Sequence, residues 1–243
     1  MKKASLIAAV AVSFATFAQA QTLLVGWNFN NNTAGADGAL GKFETTGEFE
    51  VYSEEFKRLT VASHGLSAAT ATVEFSGLIG EMGGTANNNW GTFGGSTINA
   101  FEGDASGGAL AIVGSGNNGS SVVFTFSTVG FESIALSYAS RNTGTGFNLH
   151  TWEWSTDGEN WNEWTSVSGI NTSFQAFTLP EISGLDNLEI AYVRVSVSGA
   201  TTTNGNTRID NLQIVSVPEP TTVGLMGLGA TALIFSLRRR RSM

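Results

Sequence analysis

Histidine, the side chain most often used for proton transfer near neutral pH, occurs twice in this 243-residue chain, as His64 and His150. A catalytic base needs a nucleophile beside it and a group that orients it. No such arrangement is evident around either histidine, and neither Gly-x-Ser-x-Gly nor His-Glu-x-x-His occurs. Cysteine is absent, which removes thiol nucleophiles and Cys-ligated zinc. Two facing carboxylates would suffice for glycoside hydrolysis, but no pair stands out by spacing. The chain therefore reads as non-catalytic, with no catalytic residue assigned. Gly114-Ser115-Gly116-Asn117-Asn118-Gly119 matches the dinucleotide fingerprint as a string. That motif must open a helix, whereas Ser121 to Ser127 continues as a strand, so the segment reads as a hairpin loop.

Binding chemistry is more visible than catalysis. Flat aromatic faces suit the apolar faces of sugar rings, and Trp152, Trp154, Trp161 and Trp164 cluster in sequence. Trp152 and Trp154 fall on the core face of their strand, and large aromatics dominate cores. Trp161 closes a turn. That leaves Trp164, and Trp90 in a Gly/Asn-rich stretch, as the candidate glycan contacts.

Charge sets a further limit. Between Gln21 and Ser216 there are six basic residues against nineteen acidic ones, a formal charge of −13, more negative than the whole-chain −8. Such a surface repels nucleic acid, which needs basic patches. Arg141, Arg194 and Arg208 are scarce cations in that setting, expected to form structural ion pairs.

The elements that carry these residues read as strands. Apolar residues alternate at Leu23, Val25, Trp27 and Phe29, at Val122, Phe124 and Phe126, and at Ile134, Leu136 and Tyr138. They alternate again at His150, Trp152 and Trp154, at Val193, Val195 and Val197, and at Leu212 and Ile214. Period two is the signature of half-buried strands. Gly, Asn and Asp clusters such as Asp157-Gly158 and Asn204-Gly205-Asn206 supply the turns. The expected fold is all-β: one β-sandwich domain over 21–216, jelly-roll-like. Gly77 to Gly108 reads as a long loop, with Trp90 its most exposed aromatic.

The two ends are of another kind. Lys2 and Lys3, the apolar run Ala4 to Phe17 and Ala18-Gln19-Ala20 have the layout of a secretory signal peptide over 1–20. At the other end Val217-Pro218-Glu219-Pro220 precedes an apolar segment over 221–237 and the basic stop Arg238, Arg239, Arg240 and Arg241. The uncharged 16 residues from Thr222 span roughly 24 Å as a helix, against a bilayer core of about 30 Å. Arginine stems can snorkel to extend that reach, and the arginines would stay cytoplasmic. The expectation is a single C-terminal transmembrane helix.

This tail over 217–243 resembles the PEP-CTERM sorting signal of Gram-negative bacteria. The resemblance implies that Pro218, Glu219 and Pro220 are recognised by an exosortase, a membrane-embedded transpeptidase-like enzyme. It implies transient inner-membrane anchoring, processing near the motif, and delivery to the cell surface or the exopolysaccharide matrix. The expected partners are thus the exosortase, the membrane before processing, and exopolysaccharide.

Two internal patterns look like parts of jelly-roll carbohydrate-binding modules. Trp154-Ser155-Thr156-Asp157-Gly158-Glu159-Asn160-Trp161 resembles a strand–turn–strand hairpin of such sandwiches. Ile209-Asp210-Asn211-Leu212-Gln213-Ile214 resembles their closing strand. In that family the closing-strand Asp often ligates a structural calcium near the first strand. The resemblance therefore implies a calcium at Asp210 with Asn28 and Asn30, through hard oxygen donors. Asn28 and Asn30 stand where a carboxylate is common in the family.

Overall fold

A computed structural model describes residues 21–30, 32–33, 42–43, 51–52, 56–59, 62–83 and 87–218. The expected signal peptide over 1–20, the apolar segment over 221–237, Glu219, Pro220 and Arg238 to Arg241 lie outside the described residues. In the described residues no helix is long and apolar enough to cross a membrane.

The described residues form fifteen strands in chain order: β1 (Thr22–Trp27), β2 (Asn32–Thr33), β3 (Lys42–Phe43), β4 (Val51–Tyr52) and β5 (Phe56–Leu59), then β6 (Thr72–Ser76), β7 (Trp90–Gly94) and β8 (Gly108–Val113). After one 3-10 turn at Ser115–Asn117 come β9 (Ser121–Phe126), β10 (Phe131–Asn142), β11 (Leu149–Ser155) and β12 (Asn162–Ser168). The last three are β13 (Gln175–Thr178), β14 (Ala191–Ser198) and β15 (Asn206–Pro218).

They build two antiparallel sheets and a small β2–β3 pair. The six-stranded sheet runs β13-β10-β15-β8-β7, and β1 also pairs with β15. The seven-stranded sheet runs β12-β11-β14-β9-β6-β5-β4. The 13-residue β15 organises the first sheet: one edge pairs with β10, while the other is shared by β8 at residues 206–209 and β1 at 212–216. From β6 onward the chain changes sheet at nearly every connection, so each layer is closed by residues distant in sequence. The expected all-β sandwich is what forms.

Alternation explains the packing. Val193, Val195 and Val197 of β14 are fully buried, as are Val122 and Phe124 of β9 and Leu212 and Ile214 of β15. These inner faces, with Trp27, Trp90, Trp152 and Tyr138, make one continuous core. Strict alternation fails in β1, where both Leu24 and Val25 are buried. A register shift between Leu23 and Val25 accounts for it, since a bulge turns one extra side chain inward.

Three expectations are corrected here. The 77–108 stretch is not one loop, because Trp90–Gly94 is a strand paired with β8. Trp90 is not exposed but 1 % accessible, its ring 4.3 Å from that of Phe75. It lies opposite Ile112 on the inward face, and core burial outweighs its glycine-rich flanks. The 114–119 segment is not a hairpin loop either: it joins β8 and β9, which belong to different sheets.

Gly65 shows why glycine is needed where the chain returns to β1. Its φ is +103°, a region that favours glycine, and a Cβ there would collide with the Leu24 backbone.

Candidate functional site

The described side chains offer four places where chemistry could occur. The first is the buried polar chain around His150. This residue is fully buried between the sheets, its Nδ1 3.2 Å from Tyr138 Oη and its Nε2 3.0 Å from Thr207 Oγ1. Trp152 Nε1 can only donate, and it does so to Tyr138 Oη at 3.2 Å. Thr207 Oγ1 gives its proton to Arg141 O at 3.3 Å, so His150 Nε2 donates to Thr207 and Nδ1 accepts from Tyr138 O–H. The imidazole is therefore neutral with its proton on Nε2. Burial lowers the His150 pKa to about 3 and raises that of Tyr138. Every polar atom in this relay has a partner, so its role is to join β10, β11 and β15.

The second place was not anticipated. Ser63 Oγ lies 2.8 Å from His64 Nδ1, and His64 Nε2 lies 3.6 Å from Asp104 Oδ1. The His64 ring stacks on Phe101 at 4.0 Å. Ser63 and His64 are sequence neighbours, which was a legible signal. Asp104 is brought in only by the loop between β7 and β8. A serine hydrolase also needs N–H groups aimed at the developing oxyanion. Here the N–H groups of Ser63 and His64 both donate to Gly26 O, at 2.8 and 3.2 Å. Ser63 Oγ itself accepts the Asn28 N–H at 3.1 Å. The cluster clips this turn to β1.

The third place is the expected calcium position. Asp210 is fully buried and accepts N–H bonds from Ser96 at 2.7 Å and Asn211 at 2.9 Å. Burial outweighs both bonds and pushes its pKa up to about 7. Asn28 Oδ1 accepts the Asn30 N–H, and Asn28 Nδ2 donates to Asp104 Oδ2 at 2.7 Å. Asn30 Oδ1 accepts the Gly108 N–H at 2.8 Å. These are hard donors of the kind calcium takes, but each oxygen already holds a protein N–H, so a cation would share every one. Among the described residues no group of three or more His, Asp or Glu side chains is placed to hold a metal.

The fourth place is the outer face of the seven-stranded sheet. A depression of about 310 Å³ is lined there by Thr70, Thr72, Thr125, Glu189, Ile190 and Tyr192. Tyr192, Thr125 and Thr72 stand in one cross-strand row. Ile190 is 51 % exposed. Two residues on and on the same face, Arg194 lies under the half-buried Trp161, its Cζ 4.1 Å from the ring centroid, and pairs with Glu153 at 2.7 Å. The Asp157-Gly158 turn forms as read: Asp157 accepts the N–H groups of Glu159 and Asn160, and Gly158 sits against the Tyr192 ring. Those bonds, with the Asn160 side chain first, hold the exposed Asp157 carboxyl well below the usual range.

The candidate glycan contacts fare differently. Trp90 is in the core and cannot meet a ligand as placed. Trp164 is half-buried, its Nε1 donating to Pro180 O at 3.0 Å and its ring edge-on to Trp152. Of the arginines expected to be ion-paired, Arg194 is, whereas Arg141 and Arg208 have no acidic partner among the described residues.

No curated protein sequence matches the chain. Among solved structures, it is similar to the K3 cleaved adhesin domain of Lys-gingipain from Porphyromonas gingivalis, at 12 % identity and TM-score 0.41, over 81 % of this chain and 99 % of that one. It is similar to the CBM22-1 xylan-binding domain of a Paenibacillus barcinonensis protein, at 10 % identity and TM-score 0.40, over 83 % and 99 % of the two chains. A third is TmCBM61, solved with β-1,4-galactotriose, at 12 % identity and TM-score 0.32, over 51 % and 86 %. The closing strand β15 runs to Pro218, which pairs with Phe131, so the sheet leads into the tail without a spacer. Residues 216–241 match the PEP-CTERM protein-sorting motif, and the chain thus carries this sorting signal at its C-terminus.

Proposed function

We propose that this is an exported surface or exopolysaccharide-matrix protein, handled by an exosortase through Pro218, Glu219 and Pro220, with a non-catalytic β-sandwich that binds glycan. The match over residues 216–241 carries the sorting half of the reading. Export begins with the signal peptide, the tail holds the chain in the inner membrane of a Gram-negative cell, and processing near the motif releases the sandwich. The intact mass and the cell fraction of the native protein test this. A mass lacking residues 1–20 and the segment beyond about Pro218, found outside the membrane fraction, is expected. Deletion of residues 219–243 should abolish that processing. A chain that keeps Arg238 to Met243 in the membrane would instead be a permanently tethered protein.

The glycan half rests on the depression beside Tyr192. It combines the Tyr192 ring, the exposed Ile190 side chain, the hydroxyls of Thr70, Thr72, Thr125 and Ser127 and the Glu189 carboxylate, a mostly apolar wall with a few polar groups. Trp161 stands nearby with its ring held by Arg194. A structural calcium at Asp210 belongs to the same proposal, as a support of the loop that Ser96 begins. Chelation by EDTA should then lower the melting temperature, and an unchanged melt removes the ion from the picture.

A further inference from the structure

Arg141 and Arg208 face each other directly across the β10–β15 ladder. Their neighbours Thr207 and Ile209 are buried in the core, so both arginines project from the outer face of the six-stranded sheet. Like charges in directly opposed positions destabilise a sheet, and this domain has few cations to place. Yet the two stand together without an acidic partner among the described residues. Asp210 follows Arg208 on the same face by two positions but turns its carboxyl to the N–H groups of Ser96 and Asn211. Opposite Arg208 on β8 is Ala111, which brings no charge.

Each guanidinium is held by an aromatic ring. Arg208 Cζ lies 4.7 Å from the Phe93 centroid, and its Nη1 donates to Gly94 O at 3.0 Å. Arg141 Cζ lies 6.0 Å from the Phe174 centroid. The Nε atoms of both are buried and have no hydrogen-bond partner among the described residues. A buried donor left unmade is costly, more so on a charged group. The buried Nε atoms are closed to a ligand, and Arg208 Nη1 is held by Gly94 O, but the other Nη groups, fixed side by side beside flat rings, suit a planar anion that accepts two bonds at once.

We propose that Arg141 and Arg208 form a receptor for a single carboxylate carried on a saccharide, as in a uronic acid unit of a largely neutral polysaccharide. The saccharide part rests on the glycan reading above, whereas the anion part rests on the arginines alone. A densely charged polymer is disfavoured, because the surrounding domain is strongly negative and would repel it at long range. One carboxylate within a neutral chain meets the two local charges without that repulsion.

The test is calorimetric titration of the full chain in mild detergent with three probes: an oligosaccharide bearing one glucuronic acid, its carboxyl-reduced neutral counterpart, and sodium sulfate. The uronate should bind about 10- to 100-fold more tightly than the reduced form, the range expected of charged hydrogen bonds. Arg141→Gln and Arg208→Gln should each abolish that difference, and Arg141→Lys should keep part of it because the charge survives without the fork. Thermal melting separates binding from structure. Removing one of two repelling charges in Arg141→Gln should leave the melting temperature level or higher, whereas a structural role would lower it. Tyr192→Ala, on the outer face of the other sheet, should weaken the neutral oligosaccharide and leave uronate binding at the arginines unchanged. If no neutral sugar binds but the uronate still binds through the arginines, the glycan groove falls and this site stands. Equal affinity for the uronate and the reduced form, or sulfate binding as tightly as the uronate, overturns the proposal.

Discussion

Trp152→Ala is expected to destabilise the sandwich by about 3–5 kcal/mol, the usual cost of truncating a fully buried large aromatic. Trp152 is inaccessible to solvent and stands at the centre of β11, between Thr165 of β12 and Val195 of β14. Its ring lies 5.0 Å from that of Tyr138 across the core and 6.4 Å from that of Trp164. Truncation would open a cavity where the two sheets meet. It would also remove the N–H that Tyr138 Oη accepts. Domains of this size are stable by only about 5–15 kcal/mol, so the variant should lose a large share of its folded population. Trp152→Phe keeps most of the volume and loses the N–H, and should cost about 1–2 kcal/mol. Urea denaturation midpoints decide the matter. Two variants of equal cost would mean that the hydrogen bond, and not the packing, dominates at this position.

Acid should weaken the protein through His150 in particular. Unfolded, its imidazole titrates near 6.5, whereas burial lowers the folded value to about 3. Between those limits the unfolded chain takes up a proton that the folded one refuses. The contribution is therefore fully present above pH 6.5 and is lost as pH falls toward 3, at about 1.4 kcal/mol per pH unit. Over the whole window that is roughly 4–5 kcal/mol, comparable to the loss of a core tryptophan. Protonation would place a second donor against Tyr138 O–H, which already donates to Nδ1, so the relay cannot adapt without breaking. His150→Gln should cost about 1–3 kcal/mol at pH 8, because the relay is interrupted. At pH 4 the variant should approach or exceed the parent in stability. Denaturation midpoints for both proteins at pH 8, 6, 5 and 4 show whether the gap closes, and two parallel pH profiles would exclude His150 as the acid-sensitive group.

The two predictions concern positions that the sequence pattern had already placed. Period-two alternation put His150, Trp152 and Trp154 on one strand face because the pleat fixes side-chain direction residue by residue. The same local rule located β9, β10, β14 and β15, and turn chemistry marked the Asp157-Gly158 turn. The tail was legible for a similar reason: a short motif, an apolar run and four arginines are contiguous, and their order carries the signal whatever the fold does. What failed was burial within weakly patterned stretches. Trp90 sits among glycine and asparagine, and local composition says loop. Its pairing with Ile112 and its packing on Phe75 depend on segments it meets only when both layers assemble.

Sequence by itself determined the all-β class, the core-facing strands, the acidic surface and the C-terminal sorting motif. Each is written in adjacent residues or in bulk composition. The tertiary structure decided which side chains meet: Ser63 and His64 with Asp104, Tyr192 with Thr72 and Thr125, and Arg141 with Arg208. Those pairings span up to about 120 residues, because the chain changes sheet at nearly every connection. Register between distant strands is fixed by the pleat, the bulges and the packing of two whole faces. No short window of sequence contains that information, so two arginines expected to be neutralised came to stand together without acidic partners among the described residues.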